Sequence, residues 1–415
     1  MTDFQMNTAP SNFDELIVTP EFVADPYPVM RLLREQDPVH WSEAIGGWVL
    51  TAYNDIVVAF KDTSSFSNEN RLGKVLAYLT PEKRATYKAF EEHWANKSLL
   101  HSDPPDHTRM RAIVTREFNA KVVEQMKPKI QETVDRLIDA ALARGRLEIV
   151  TEYAAPLPIS IIAHILGVPL PDHHFFQEWA DAILAFQGVN KPSEADITRA
   201  QDAIVLLRPY IRGMIEERRR QPREDLMSKF VSAEAEGGRI TEPELISTCS
   251  TLFIAGQETT LSLIASAIYT LLANPAQLEL LGQNPELLSS TIEETLRYES
   301  PVSRQPRIVK NDIELRGRKL RKGDVVFQMI NGGNRDPELF PDPDKFDIRR
   351  QNNRHIAFGN GIHFCVGAFL ARAEASIAVS TIFRRLPYLR LVDKKPDWDL
   401  EKRNSRTLKT LRVEF

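Results

Sequence analysis

The chain has 415 residues, 42% of them hydrophobic and 27% charged, with 26 prolines and 18 glycines. That balance belongs to a globular protein and excludes disordered, collagen-like and low-complexity classes. Basic residues number 53 against 57 acids, a net charge of −4, which excludes a built-in affinity for nucleic acid or anionic lipid; two cysteines, Cys249 and Cys365, exclude a disulfide scaffold and a zinc site of three or four thiolates.

Residues 1–24 mix acids, polar residues and prolines with no basic stretch ahead of an apolar one, so no signal peptide is expected. They read as a partly ordered N-terminal segment before one domain over 25–415, because no linker and no internal repeat divides the chain. Val39–Ser42 and Trp48–Thr51 flank Gly46-Gly47 and predict a hairpin. Helical patterns dominate from Asp106 to Tyr298, with turns expected at Pro156, Pro169-Leu-Pro171, Pro222 and Gly237-Gly238. Arg218-Arg-Arg220 closes one helix, where cations favour the carbonyl end. Thr241-Glu-Pro-Glu244 predicts a capping box with proline in the first turn. The helix it opens can run to Asn274, roughly 50 Å. Within it, Leu245–Ala273 carries one charge, Glu258, and enough Ser and Thr to favour a buried helix over a membrane span. Strand signals return over Ile308–Ile330, where the basic run Arg316–Lys322 reads as a solvated turn, and again at Leu389–Val392 and Leu411–Phe415. The predicted fold is mainly α with small peripheral β-sheets.

Three patterns carry chemistry. The first is Phe358-Gly-Asn-Gly-Ile-His-Phe-Cys365-Val-Gly367, followed by Ala368-Phe-Leu-Ala-Arg-Ala-Glu374. Its glycines let backbone approach something bulky. Cys365 sits just before a helix-forming stretch, whose free N–H groups and dipole would lower the thiol pKa. Cys249, lacking such a frame, reads as a small buried hydrophobe. The second is Ala255-Gly256-Gln-Glu258-Thr259-Thr260 in the long helix. Thr259 can bond the Ala255 carbonyl and loosen the helix, and Gly256 costs about 1 kcal/mol against alanine; the segment holds either a site or a packing exception. The third is Glu294 and Arg297, opposite charges on one helical face, a spacing worth only ~0–1 kcal/mol when exposed. In addition, the helix opening at Asp103-Pro-Pro-Asp106 puts His107 and Arg111 on one face and Arg109 elsewhere.

The cysteine string resembles the haem-binding signature of the cytochrome P450 family, Phe-Gly-x-Gly-x-His-x-Cys-x-Gly, and matches it at every position. The resemblance implies a P450-like fold, a single large domain enclosing haem b, with Cys365 as the axial thiolate and iron ligand. Ala255, Gly256, Glu258 and Thr259 match the family's central-helix string Ala-Gly-x-(Asp or Glu)-Thr. This implies that Thr259 hydrogen-bonds dioxygen and that Glu258 belongs to the proton supply; Glu for the commoner Asp adds a methylene. Glu294, Arg297 and Arg350, with Arg349 as the alternative third member, are implied as a structural triad behind the cysteine loop. His107, Arg111, Arg307 and His363 are the implied propionate partners, and Phe358, Gly359, Gly367, Ala255 and Gly256 complete the implied haem contacts. Asn334-Arg-Asp-Pro337 and Phe340-Pro-Asp-Pro also match.

The expected activity is that of a haem-thiolate monooxygenase that hydroxylates, or otherwise oxidises, a small to mid-sized apolar organic substrate with dioxygen and two electrons. The sequence holds no dinucleotide fingerprint and too few cysteines for an iron–sulfur cluster. The electrons are therefore expected from a separate ferredoxin and its reductase, docking near Arg111 and Arg372. A peroxide-driven peroxygenase and a non-catalytic haem sensor are the alternatives, and the Glu258-Thr259 pair argues against both. The substrate walls are expected from Phe66–Leu100, Leu166–Tyr210, Leu252–Ala255 and Pro301–Gln305, with Leu252, Phe253, Ala255 and Val302 facing the substrate. A cytoplasmic monomer is expected, with no nucleic-acid or membrane partner.

Overall fold

A computed structural model of the chain describes residues 13–69, 76, 79–187, 192–235 and 240–415. The expected turn at Gly237-Gly238 lies outside the described residues, as do stretches of two expected substrate walls, 70–75 with 77–78, and 188–191.

The core forms around one helix, Glu258–Ala273. Its Leu263, Ile264, Ala265, Ala267, Ile268 and Leu271 are at most 1% exposed, and each large aliphatic side chain so buried contributes about 1.5–3 kcal/mol. The helices Ala368–Arg385 and Leu288–Tyr298 and a π-helical turn, Ile149–Ala154, pack against it. Tyr153 in that turn ties the layers together by donating its hydroxyl to the Ala378 carbonyl at 2.7 Å. Among the described residues, two helical stretches, Ile149–Leu166 and Glu242–Ala273, are long and apolar enough to cross a membrane, yet 72% of the 18-residue apolar window in each is buried inside the protein.

The predicted capping box is present: Glu244 N–H donates to Thr241 Oγ1, and Thr241 N–H donates back to Glu244 Oε2. The helix it opens does not run unbroken to Asn274. It ends at Ala255, and a second helix starts at Glu258. Gly256 allows the break to pack closely, because a Cβ there would lie 3.1 Å from the Leu252 carbonyl oxygen and 3.4 Å from Ile162. Pro156 likewise opens a helix, Pro156–Leu166, instead of marking a turn; proline's missing N–H is not needed in a first turn. Arg218 closes Glu194–Arg220 as expected but is buried, held by Asp225 at 2.7 Å and the Gly167 carbonyl at 2.9 Å.

The sheets are peripheral. The largest orders Val39–Ser42, Gly47–Leu50, Val325–Met329, Arg304–Val309 and Phe66–Ser67, with one parallel pair between the second and third. Its strand Arg304–Val309 takes in residues 304 and 305 of the expected substrate wall Pro301–Gln305. Asp397–Trp398 pairs with Leu408–Thr410, and the loop between them reaches back to the central helix.

Candidate active site

The cysteine loop is a turn that only glycine can make. Gly359 and Gly361 adopt φ of +72° and +70°, and a Cβ on Gly361 would fall 2.6 Å from the Phe60 carbonyl oxygen. Cys365 N–H donates to the Phe358 carbonyl at 2.9 Å, and the helix Ala368–Arg385 follows directly. Cys365 is exposed as a residue, yet protein crowds the thiol enough that burial pushes it upward from its ordinary value. Burial thus outweighs the helix-terminus lowering expected from the sequence, although the Gly367 N–H and the charges of Arg111 and Arg372 pull the other way.

Arg372 is committed to holding this loop. It forms a double contact with Glu293 at 2.6 and 2.8 Å and lies 4.5 Å from the centroid of the Phe358 ring. Its side chain stays 32% exposed while engaged there. Burial alone would raise Glu293, but hydrogen bonds from Arg372 and His355 hold it down at about 2. Neither Glu293 nor His355 was singled out from the sequence. Adjacent glutamates at 293 and 294 were the available signal.

Glu294, Arg297 and Arg350 come together. Arg297 meets Glu294 at 2.8 Å through both Nε and Nη2, and Arg350 Nε lies 3.1 Å from each carboxylate oxygen. Arg297 also donates to the carbonyls of Asn334, Pro343 and Lys345, while Arg349 stays outside the cluster, its N–H on Asp347. Asn334, which opens the matched string Asn334-Arg-Asp-Pro337, accepts Ile356 N–H at 2.8 Å and donates to Ser300. The triad therefore fixes the chain leading into the cysteine loop.

The rings of His107 and His363 lie against one another at a 51° tilt, with centroids 4.1 Å apart. Burial, and then the charge of Arg111, push His107 down to about 4, so the ring is neutral. It is fully buried, yet neither ring nitrogen has a hydrogen-bond partner among the described residues. A buried polar group in that condition marks a missing partner. Arg307 is buried on the sheet with its guanidinium 5.3 Å from the Phe60 ring centroid. Arg109 points elsewhere as expected, paired with Glu244 and Asp106. A haem with two propionates, ligated by Cys365, fits these residues: a propionate would give the His107 N–H the acceptor it lacks.

Thr259 donates its hydroxyl to Ala255 at 3.0 Å, and Glu258 Oε1 accepts from Ser405 at 2.6 Å, Lys402 at 3.2 Å and Thr407 at 3.3 Å. Ala255, Glu258, Thr259 and Val302 line a cavity of about 670 Å³, together with Ile254 and residues 399–405. Leu252 and Phe253, expected on the substrate side, are not on this wall. Phe253 is buried against Phe176, ring centroids 4.3 Å apart, because each helical residue turns about 100° and the cavity face belongs to 254, 255, 258 and 259. The contribution of Lys402 and Ser405 was invisible in the sequence, some 150 residues from Glu258.

The family model described as Cytochrome P450 matches residues 69–410. The cytochrome P450 monooxygenase PikC of Streptomyces venezuelae is 40% identical over 378 residues, covering 89% of this chain and 86% of its own length. Among solved structures, CYP109E1 from Bacillus megaterium in complex with testosterone is similar with a TM-score of 0.86 at 34% identity, covering 95% of this chain and 99% of that one. Myxobacterial CYP267B1 in complex with myristic acid has a TM-score of 0.87 at 37% identity, covering 97% and 99%.

Proposed function

The chain belongs to the cytochrome P450 family of haem-thiolate monooxygenases, and from that premise we propose that it oxidises a small to mid-sized apolar molecule with electrons from a ferredoxin and its reductase. The cofactor of the family is haem with an axial cysteine thiolate. Bound haem supplies the redox chemistry, and its thiolate ligand pushes electron density that favours O–O cleavage.

This chain's residues have the remaining tasks. Cys365 is the thiolate, its negative charge held by the Gly367 N–H and the fields of Arg111 and Arg372. His107, Arg111, Arg307 and His363 receive the propionates, and Phe358, Gly359, Gly367, Ala255 and Gly256 lie against the macrocycle. Glu294, Arg297 and Arg350 keep the cysteine loop in place. Thr259 turns its Oγ1 proton from the Ala255 carbonyl, where it rests in this structure, to dioxygen, and Glu258 passes protons inward from the hydroxyls and ammonium of Ser405, Thr407 and Lys402. Ala255 and Val302 are the substrate-facing residues. Two free cysteines suit a reducing, cytoplasmic setting.

The observation that carries this reading is the pairing of the glycine-framed Cys365 with the buried, unpartnered His107. Screening apolar compounds for the Soret shift that marks displacement of water from the iron, then analysing products with ferredoxin and reductase present, tests it. Oxidised product that requires dioxygen and reductant is expected. Product formed only with added peroxide would replace the reading with the peroxygenase one.

A further inference from the structure

Charged residues border the apolar cavity, and two of its cations are already answered. Arg199 pairs with Asp196 at 2.6 Å, and Lys402 with Glu258 at 3.2 Å. Arg403 differs: it lines the cavity, is exposed, and has neither ion pair nor hydrogen bond among the described residues. Arg304 lines the same cavity. It is 6% exposed, with Nε donating to Asn404 Oδ1 at 2.7 Å and its guanidinium 5.1 Å from the Phe327 ring centroid. Burial, and after it the like charge of Arg403, pull Arg304 down to about 10. Two guanidiniums thus repel one another across the cavity wall. Asp399 also borders the cavity, but its carboxylate accepts the N–H of Glu401 at 3.2 Å and, among the described residues, forms no ion pair with Arg403.

A carboxylate placed between two guanidiniums relieves their repulsion and matches their planar donor forks. We infer that the substrate is an apolar molecule ending in a carboxylate, which Arg304 and Arg403 receive while the body of the molecule lies along Ile254, Ala255 and Val302 towards Thr259. The inference rests on the monooxygenase reading above and narrows its substrate class.

The test uses the holoenzyme and straight-chain carboxylates from octanoate to hexadecanoate, each beside its methyl ester and its alcohol. Dissociation constants come from the Soret shift and, independently, from calorimetry. At the best chain length the carboxylate binds at least about ten-fold tighter than either neutral probe. Arg403→Gln, at an exposed position, removes about ten-fold of that affinity and leaves the ester and alcohol unchanged, and Arg403→Glu abolishes the advantage. No carboxylate advantage at any length, or an advantage that survives Arg403→Glu, overturns the inference. Neutral probes that bind and are oxidised in that case would leave the monooxygenase reading standing.

Discussion

Thr259 donates its hydroxyl to the Ala255 carbonyl, 3.0 Å away, across the break in the central helix. The hydroxyl satisfies a carbonyl that the interrupted ladder leaves available, and it does so on the cavity wall. Thr259→Ala is expected to leave haem content, the carbon-monoxide spectrum and substrate binding nearly intact. What falls is the fraction of reductant that ends in product, with hydrogen peroxide released in its place. Proton delivery by a positioned group is worth about 10²–10⁴-fold, so the change is large even if reductant consumption barely slows. Product and peroxide per reductant oxidised are the quantities to measure, and unchanged coupling contradicts the assigned role.

Glu258 leans the other way, onto Ser405, Lys402 and Thr407. Glu258→Gln keeps the shape and removes the exchangeable carboxylate, so oxygen consumption should slow while coupling changes less than in Thr259→Ala. Ser405→Ala should slow it in the same direction and by less, since Lys402 and Thr407 remain. Equal oxygen uptake in both variants and the wild type would show that protons enter elsewhere.

Glu294 and Arg297 are both fully buried. Removing one partner of such a pair costs about 3–5 kcal/mol, a large share of a domain's stability margin. Glu294→Ala and Arg297→Ala should therefore give little folded, haem-loaded protein. Arg350→Ala, which leaves the inner pair intact, should be milder. Normal haem content and thermal stability in Glu294→Ala would refute the structural role.

Glu293 supplies the pH dependence. Its folded-state carboxyl, near 2, lies below its ordinary value of 4.5, so its contribution to stability is fully present above about pH 4.5 and is lost as pH falls towards 2. Glu293→Gln should flatten the acid limb of the stability curve in that window and loosen the loop that Arg372 holds. Denaturant midpoints measured between pH 6 and pH 3 decide it; parallel curves for variant and wild type would contradict the assignment.

The parts of this site that lie close in sequence were legible in it. The cysteine loop shows because its glycines, histidine and cysteine are fixed within ten residues by a backbone that must turn at 359 and 361. The capping box at Thr241 shows for the same reason. The break at Gly256 did not, because one glycine costs too little to end a helix whose apolar pattern continues on both sides. Nor did the partners of Glu258, since Lys402 and Ser405 meet it only through the tertiary fold. Nor did the hold of Arg372 on Glu293, since the two meet only through the tertiary fold. Phe253 misled because an aromatic next to a site string is as often core as wall.

The claim on which everything else depends is that Cys365 is the axial ligand. Its most direct measurement is the spectrum of the reduced, carbon-monoxide-bound protein in wild type and in Cys365→Ser. The wild type should show the red-shifted Soret band characteristic of a thiolate ligand, and Cys365→Ser should lose that band even where haem remains bound. A red-shifted band that persists in Cys365→Ser would contradict the account.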